Sequence, residues 1–220
     1  MRVYERYIKR VLDVFLSGLG IVVLSPIMLI TAVLVRIKLG SPVVFKQKRP
    51  GKNEKIFELY KFRTMNDKKD SKGILLPDEE RLTKFSRGLR ATSIDETLSL
   101  INIIRGDMSI VGPRPLLTRY LPYYTDEERI RHSVRPGLTG LAQINGRNNV
   151  GWDDRLQYDV KYVKNITFIG DMKIILKTVA KVLKHSDIAS GKQLIMQDLD
   201  KERAWMTMKR KNSRSDQDGS

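Results

Sequence analysis

The chain has 220 residues, enough for one compact domain with a hydrophobic core and a short appendage. Its 41 Lys and Arg outnumber its 25 Asp and Glu, and the net charge of +16 suits polyanions such as nucleic acid, anionic lipid headgroups or phosphorylated substrates. The lack of cysteine excludes disulfides and thiolate chemistry, and the two histidines, His132 and His185, lie too far apart in sequence to indicate a zinc site.

An apolar segment, residues 11–35, has about the length of a helix that spans a bilayer. It is too long for a secretory signal peptide, and no small-residue cleavage site follows it. A transmembrane helix and a re-entrant helix hairpin, which enters and leaves the same leaflet, are the two remaining interpretations. Ser25 and Pro26 favour the hairpin. Pro26 has no N–H to donate to the Val22 carbonyl, and its ring clashes with that carbonyl, so the helix should kink or break there. The Ser25 hydroxyl can donate a hydrogen bond to a carbonyl that is freed in this way.

Charge on both sides of this segment also favours the hairpin. A spanning helix usually keeps its basic residues on the cytoplasmic side only. Here basic residues flank both ends: Arg2, Arg6, Lys9, Arg10, Arg36, Lys38, Lys46, Lys48 and Arg49. Asp13 lies near the start of the apolar segment, where its carboxylate could remain among the polar lipid headgroups. We therefore expect a monotopic arrangement broken at Ser25-Pro26.

The next elements are short. Two apolar runs, 43–47 and 56–62, flank turn-forming residues and predict a β-hairpin. The polar stretch 66–77 is typical of a loop, and residues 78–88 predict a short helix with Gly88 near its end.

Ser93-Ile94-Asp95-Glu96 precedes an apolar run and has the pattern of a capping box, which predicts a helix from Ser93 to about Gly106. The positive end of that helix would stabilise ionised Asp95 and Glu96 and attract phosphate. An ionised Asp95 could attack phosphorus, with Glu96 as base or metal ligand. Alternatively, Glu96 only completes the capping box and Asp95 is a solvated acid.

Two loops rich in glycine and proline follow, at 110–115 and 135–148, and two helices are predicted at 153–163 and 171–184. The second helix alternates apolar residues with lysines, which suits a membrane surface. An ordinary helix facing the core would show a similar pattern.

We predict an α+β fold that is predominantly helical. Residues 1–40 would form the basic flank and re-entrant membrane helix, 41–195 a compact cytosolic catalytic domain with the small β-hairpin, and 196–220 a polar, disordered tail.

Basic residues in or beside the loops are candidates for binding phosphate, which arginine contacts in bidentate fashion. They are Lys61, Arg63, Arg90, Arg114, Arg135 and Arg147. Further carboxylates could help to bind magnesium, and their spacing in the sequence does not favour any one of them: Asp107, Asp153, Asp159 and Asp171. The sequence contains no Walker A motif, no G-x-G-x-x-G and no RNP-like aromatic run, which argues against P-loop, Rossmann and RNA-binding proteins.

Several motifs in order resemble those of the bacterial sugar transferases, the monotopic phosphoglycosyl transferases, and most of all their small PglC-type members. They are KRVLD at 9–13, SP at 25–26, KFRTM at 61–65, TSIDE at 92–96, GDMSIVGPRP at 106–115 and RPGLTGLAQ at 135–143. The resemblance runs from about residue 7 to about residue 186. Larger members carry an extra multi-pass region that this sequence lacks, so the resemblance implies a minimal catalytic unit.

The resemblance implies a membrane helix broken at Ser25-Pro26 and a two-step reaction. Asp95 would attack the β-phosphate of a UDP-sugar, release UMP and carry the phosphosugar covalently until undecaprenyl or another polyprenyl phosphate takes it. Glu96 would assist, Mg²⁺ would be the cofactor, held in part by Asp95 and Glu96, and Arg114 and Arg90 would bind phosphate. Such an enzyme would lie on the cytoplasmic face of the bacterial inner membrane, in contact with membrane lipids, and begin assembly of a membrane-linked glycoconjugate.

The donor sugar stays open. Likeness to PglC-type members implies an N-acetylated amino sugar such as diacetylbacillosamine, while galactose and glucose remain alternatives. The sequence leaves a homodimer undecided and gives no sign of a nucleic-acid partner. The competing hypothesis is a non-catalytic basic module that binds a membrane surface or a polyanion and needs neither Asp95 nor Glu96.

Overall fold

The computed structural model describes residues 3–146, 151–184 and 198–204. Within these ranges the chain is predominantly helical, with one long N-terminal helix, a small antiparallel hairpin and a short parallel strand pair. The predicted α+β class is confirmed.

The helices and strands follow one another as α1 Lys9–Leu39, β1 Val44–Pro50, β2 Ile56–Phe62, α2 Asp78–Arg81, α3 Lys84–Ala91, α4 Ser99–Arg105, β3 Ser109–Val111, α5 Asp126–Arg129, β4 Gly137–Thr139, α6 Leu141–Gly146, α7 Trp152–Lys164, α8 Phe168–Lys184 and α9 Leu199–Glu202. A turn of π-helix, Tyr4–Ile8, leads into α1, and a 3-10 turn, Ile94–Glu96, precedes α4.

Helix α1 packs against the rest of the domain near both of its ends. Close to its start, buried Asp13 accepts hydrogen bonds from the Ser109 hydroxyl (2.7 Å) and the Ile110 amide (2.9 Å). Close to its end, Val35 and Leu39 are buried in a core that also contains residues of β2, α3 and the turn before α4. These two anchors fix the direction of α1 relative to the domain.

The outward face of α1 is apolar and exposed. Its exposed residues include Val11, Phe15, Leu19, Val22, Val23, Ile30, Val33 and Ile37. Within the described ranges, the helical stretch Tyr4–Leu39 is the one helix apolar and long enough to cross a bilayer, with a mean hydropathy of 2.5 in its most apolar part. A continuous apolar face of this size indicates contact with lipid or another apolar partner.

The structure confirms one part of the prediction for Ser25 and Pro26. The Ser25 hydroxyl donates to the Val22 carbonyl at 2.8 Å, and this is the carbonyl that Pro26 leaves without an N–H partner. The helix itself continues from Lys9 to Leu39 with Pro26 inside it. The expected interruption at Pro26 is therefore not present as a gap in the helix.

The predicted hairpin is confirmed, with β1 and β2 antiparallel from Val44 opposite Phe62 to Pro50 opposite Ile56. Asn102 of α4, which is fully buried, accepts a hydrogen bond from the Tyr60 amide (3.0 Å) and donates one to the Glu58 carbonyl (2.7 Å). These bonds attach β2 to α4. The end of β2 therefore lies beside the turn that precedes α4.

One helix prediction needs correction here. The helix predicted over 78–88 is divided into α2 and α3, because Leu82 is extended and the Thr83 hydroxyl caps α3 by accepting from the Ser86 amide (3.1 Å). Gly88 then lies inside α3. The polar loop predicted at 66–77 is confirmed, apart from an isolated bridge between Lys69 and Leu75.

The two glycine- and proline-rich loops contain secondary structure that their composition did not predict. Strand β3 and strand β4 pair in parallel, with Ser109 opposite Gly137 and Val111 opposite Thr139. The backbones meet so closely that a Cβ at Gly137 would overlap the backbone nitrogen of Gly112. Helix α6 follows at once, and residues 147–148 of the second loop lie outside the described ranges.

Both long helices predicted near the C-terminal end are confirmed as α7 and α8, each beginning slightly earlier than expected. In α8, Ile174 is buried in the core, whereas Leu176 and Val179 are exposed beside lysines. The helix thus combines a core-facing side with a basic, apolar outer side. Within the segment predicted as a tail, the structure describes helix α9, whose Leu199 is fully buried against aromatic residues.

Candidate active site

A polar cleft of about 400 Å³ opens where β2, α3, the turn before α4, the loop after β3 and α7 meet. Its lining combines acidic and basic side chains with a few apolar ones: Lys61, Arg90, Ser93, Asp95, Glu96, Arg114, Leu116, Ala142, Gln143, Trp152, Arg155 and Asp159. Five of the predicted catalytic and phosphate-binding residues therefore come together here: Lys61, Arg90, Asp95, Glu96 and Arg114.

Asp95 lies in this cleft, but in a setting different from the predicted one. Ser93 has a left-handed backbone (φ 56°) and forms no capping bond, and the α-helix begins only at Ser99. The predicted capping box is therefore wrong, although the predicted end at Gly106 is confirmed. Asp95 occupies the 3-10 turn between Ser93 and α4, where its carboxyl is 7% exposed.

Burial determines the protonation of Asp95. Desolvation, followed by the neighbouring Glu96 carboxylate, raises the pKa of Asp95 to about 6. Lys61, Arg90 and Arg114 act in the opposite direction and limit this rise in pKa. Around neutral pH Asp95 is mostly ionised, and a desolvated carboxylate of this kind is more basic than an ordinary aspartate.

Glu96 and Arg114 form an ion pair at the edge of the cleft. Arg114 Nη2 lies 2.6 Å from Glu96 Oε1, and Nη1 lies 3.5 Å from Oε2. The Glu96 carboxylate raises the pKa of Arg114 further. Since Arg114 is 46% exposed, its guanidinium can still present donors to an anion in the cleft.

Lys61 and Arg90 approach Asp95 from two other elements. Lys61 is close to the end of β2, which Asn102 holds against α4. Desolvation and then Arg49 lower the pKa of Lys61. Arg90 comes from α3, and its Nε donates to the Thr64 hydroxyl at 3.0 Å, which fixes the guanidinium beside the cleft.

Two other predicted phosphate ligands that the structure describes, Arg63 and Arg135, do not line the cleft. Arg63 is buried, donates to the Met65 and Ser41 carbonyls (2.7 and 2.6 Å) and pairs with Asp67. Arg135 donates to the Gly106 carbonyl (2.7 Å) and lines a separate small pocket near the start of α1. Arg147 lies outside the described ranges.

Helix α7 brings three more residues into the cleft: Trp152 and Arg155, which the sequence analysis missed, and Asp159, which was one of four candidate magnesium ligands. They recur at intervals of three and four residues, so one face of the helix carries all of them. That spacing is a usable signal in the sequence. It could have been recognised only if the polar face of α7 had been expected to line a site.

A buried ion pair supports this side of the cleft. Arg131 donates to Asp159 Oδ2 through Nη2 (2.8 Å) and Nε (3.1 Å), and both side chains are almost fully buried. The same Nη2 donates to the Arg114 carbonyl at 2.6 Å. Arg131 therefore links α7 to the loop that carries Arg114 and helps fix the position of that loop.

The carboxylates in the cleft fit a magnesium ion that takes most of its ligands from water and substrate phosphates. Among the residues the structure describes, no group of three or more His, Cys, Asp or Glu surrounds a common point. Mg²⁺ commonly binds through one or two carboxylates together with water and substrate phosphates. Asp95 and Glu96 supply two such carboxylates, while the remaining predicted acids other than Asp159 do not line the cleft.

Comparison with known proteins places this chain in a family. A family model described as bacterial sugar transferase matches residues 4–185. The chain is 54% identical over 176 residues to the uncharacterized sugar transferase EpsL of Bacillus subtilis, an alignment that covers 80% of this chain and 87% of that protein.

Two further relatives have names that state an activity. The UDP-glucose:undecaprenyl-phosphate glucose-1-phosphate transferase of Caulobacter vibrioides is 37% identical, over 80% of this chain and 69% of that protein. The undecaprenyl-phosphate galactose phosphotransferase of Salmonella typhimurium is 36% identical, over 82% of this chain but only 41% of that longer protein. The family match and these identities across most of the sequence show that the chain belongs to the bacterial sugar transferase family.

Proposed function

We propose that this protein transfers a sugar 1-phosphate from a UDP-sugar to undecaprenyl or another polyprenyl phosphate through a covalent intermediate on Asp95. The observation that carries this proposal is a buried carboxylate with raised pKa, set among Lys61, Arg90 and Arg114 in one cleft. The names of the Caulobacter and Salmonella relatives support the same reaction type.

In the first step, a carboxylate oxygen of Asp95 attacks the β-phosphorus of the UDP-sugar. The bond from that phosphorus to the bridging oxygen breaks, and UMP leaves with the oxygen and its electron pair. An anion attacking an anion is repelled, so the step needs positive charge around the transferred phosphoryl group. Lys61, Arg90 and Arg114 line the same cleft as Asp95 and can supply it.

In the second step, a phosphate oxygen of the polyprenyl phosphate attacks the same phosphorus. The bond between phosphorus and Asp95 breaks, which regenerates the carboxylate and gives the polyprenyl diphosphosugar. Glu96 holds Arg114 in place through their ion pair. It can also accept a proton from the acceptor phosphate when that phosphate arrives as a monoanion. Mg²⁺ bound at Asp95 and Glu96 would add positive charge at the phosphates.

The reaction is tested by supplying the purified protein in detergent with undecaprenyl phosphate, Mg²⁺ and a panel of UDP-sugars. Release of UMP together with a lipid-linked product supports the proposal, and the sugar that reacts identifies the donor. No release from any donor, with salt-sensitive binding to unrelated polyanions, would favour a non-catalytic basic module instead.

The raised pKa of Asp95 predicts an acid limb in the pH profile of the first step. Because only the ionised carboxylate is nucleophilic, the rate should fall about tenfold for each pH unit below about 6. With an aspartate of ordinary pKa, the rate of the first step would stay constant down to about pH 4. Exchange of labelled UMP into the UDP-sugar, measured without acceptor between pH 4.5 and 8, reports this step. A rate unchanged down to pH 4.5 would contradict the assignment.

We further propose that α1 is a re-entrant membrane helix and that the protein lies on the cytoplasmic face of the membrane. A helix crossing the bilayer needs about 20 residues surrounded by lipid. Helix α1 contacts the domain at Asp13, at Ile21 and Leu24, and again at Val35 and Leu39. No part of it that long is clear of the domain. Its opposite face remains exposed and apolar, as immersion in one leaflet requires.

Cysteine labelling should show both ends of α1 on the same side of the membrane. The native chain has no cysteine, so Val3→Cys and the loop variant Lys72→Cys each introduce a single thiol at an exposed position. In intact spheroplasts we expect neither thiol to react with an impermeant maleimide, and both to react after lysis. Reaction of Val3→Cys alone before lysis would instead indicate a spanning helix.

A further inference from the structure

A second cavity, of about 360 Å³, lies beside the polar cleft and differs from it in character. It is a groove between α1, α4, α8 and the end of β4. Its walls are mostly aliphatic and include Leu24, Leu100, Leu138, Ile175 and Val179. Its volume is within the range of ligand pockets.

The threonine hydroxyl groups in the groove are already hydrogen-bonded to other groups of the protein. Thr139 and Thr178 share a hydrogen bond of 2.6 Å, and Thr178 donates onward to the Ile174 carbonyl (2.8 Å). Thr92 and Thr97 donate to backbone carbonyls of their own turns. A sugar or nucleotide would therefore lose its hydrogen bonds to water here and gain few in return, whereas a hydrocarbon would lose none.

The groove and the polar cleft meet at a shared boundary. Ser93, Glu96, Arg114 and Gln143 line both cavities. A molecule with a phosphate at this boundary could place an apolar tail in the groove. Its phosphate would then lie next to the Arg114 guanidinium and on the side of the cleft that holds Asp95.

The outer rim of the groove is formed by α1, the proposed membrane helix, and by the apolar outer side of α8. Leu24 belongs to α1 and precedes Ser25-Pro26 directly, and Val179 on α8 is 51% exposed. Beside it on α8, Leu176 is 69% exposed. An isoprenoid chain could therefore pass from the bilayer into the groove without crossing water.

We propose that this groove holds the first isoprene units of the acceptor lipid, with the acceptor phosphate at the Glu96–Arg114 boundary. The donor would occupy the polar cleft on the other side of the boundary. The assignment rests on the proposed function, which supplies the acceptor. The groove assignment adds that the two substrates use separate cavities. Changes in the groove should therefore alter the KM for the acceptor and leave the reaction with the donor unchanged.

Blocking the groove with Val179→Trp tests this assignment, and Leu176→Trp is the matched control. Both residues are exposed and aliphatic on α8, but only Val179 lines the groove. We expect Val179→Trp to raise the KM for undecaprenyl phosphate by about tenfold or more, because apolar burial of the tail is lost. Exchange of UMP into the UDP-sugar should be unchanged in both variants, and Leu176→Trp should keep the KM of the wild type.

Equal KM values in the two variants would overturn the groove assignment while leaving the reaction intact. Absence of UMP release from the wild type would instead overturn the proposed function.

A second measurement needs no variant: a prenyl phosphate with a diazirine on its second isoprene unit is photolysed with the wild-type protein. Labelling of peptides that contain Leu138, Ile175 or Val179 supports the assignment. Labelling confined to the outer face of α1 contradicts it.

Discussion

Asp95→Asn is expected to lower sugar-phosphate transfer by about 10⁴-fold or more, the scale seen when an enzyme loses its nucleophile. The substitution keeps the size of the side chain but removes the negative charge that attacks phosphorus. Both the full reaction and the exchange of UMP into the UDP-sugar should be lost, because both depend on the first step. UMP release measured with the reactive donor checks the first, and label exchange without acceptor checks the second.

Loss of folding would not explain this result. The folded state raises the pKa of Asp95 from 3.8 to about 6, so between these pH values the folded protein binds the proton more tightly than the unfolded chain. Stability therefore falls as pH rises through this window, and ionised Asp95 destabilises the fold at neutral pH. Asp95→Asn should unfold at the same temperature as the wild type or a higher one. Asp154→Asn, at an exposed carboxylate outside the cleft, is the matched control and should keep full activity.

The covalent intermediate predicts a further difference between the wild type and Asp95→Asn. Acid quenching of the wild type with donor and no acceptor should add the mass of one sugar phosphate to the peptide containing Asp95. The variant should show no such addition. Turnover by the wild type without UMP exchange would instead indicate direct transfer between the two substrates.

Arg131→Met is expected to have the largest effect on stability, about 3–5 kcal/mol of unfolding free energy. It removes the partner of Asp159 and leaves a carboxylate that is 3% exposed without its counter-ion. It also removes the hydrogen bond from Arg131 to the Arg114 carbonyl and the contact of its guanidinium with the Tyr124 ring. Thermal unfolding in detergent should show a fall of roughly 6–20 °C for a chain of this size.

A double variant separates the lost charge pair from lost packing. Arg131→Met combined with Asp159→Leu should recover most of the stability, because an apolar pair replaces a buried ion pair at little cost. Arg119→Met removes an ion pair with Asp198 in which both partners are exposed, and it should cost no more than about 1 kcal/mol. A cost for Arg131→Met as small as that for Arg119→Met would show that the buried pair does not stabilise the fold.

Some features of the molecule were predictable from local sequence because short-range physics decides them. Two apolar runs that flank turn-forming residues predicted the β1–β2 hairpin, and the spacing of apolar residues within α7 and α8 predicted those helices. The Ser25 bond to the Val22 carbonyl also follows locally, since Pro26 removes the amide that would otherwise occupy that carbonyl.

Predictions from local sequence were wrong where contacts with distant segments determine the backbone conformation. Ser93 has a pattern suited to capping but adopts a left-handed conformation, and Asp95 lies in a 3-10 turn beside β2. Segments rich in glycine and proline indicated loops, yet Gly112 and Gly137 allow β3 and β4 to approach and pair in parallel. That pairing joins residues almost 30 positions apart, which no local window contains.

The sequence by itself supplied the residue types of the candidate site: a carboxylate pair at Asp95 and Glu96 and a set of basic residues in or beside loops. Only the tertiary structure decided which of the basic residues serve that site. Arg63 and Arg135 have the same charge as Arg90 but donate to backbone carbonyls elsewhere, while Arg155 and Asp159 enter the cleft because α7 packs beside it. Residue type fixes what a side chain can bind, whereas the packing of distant elements fixes which groups come close enough to act together.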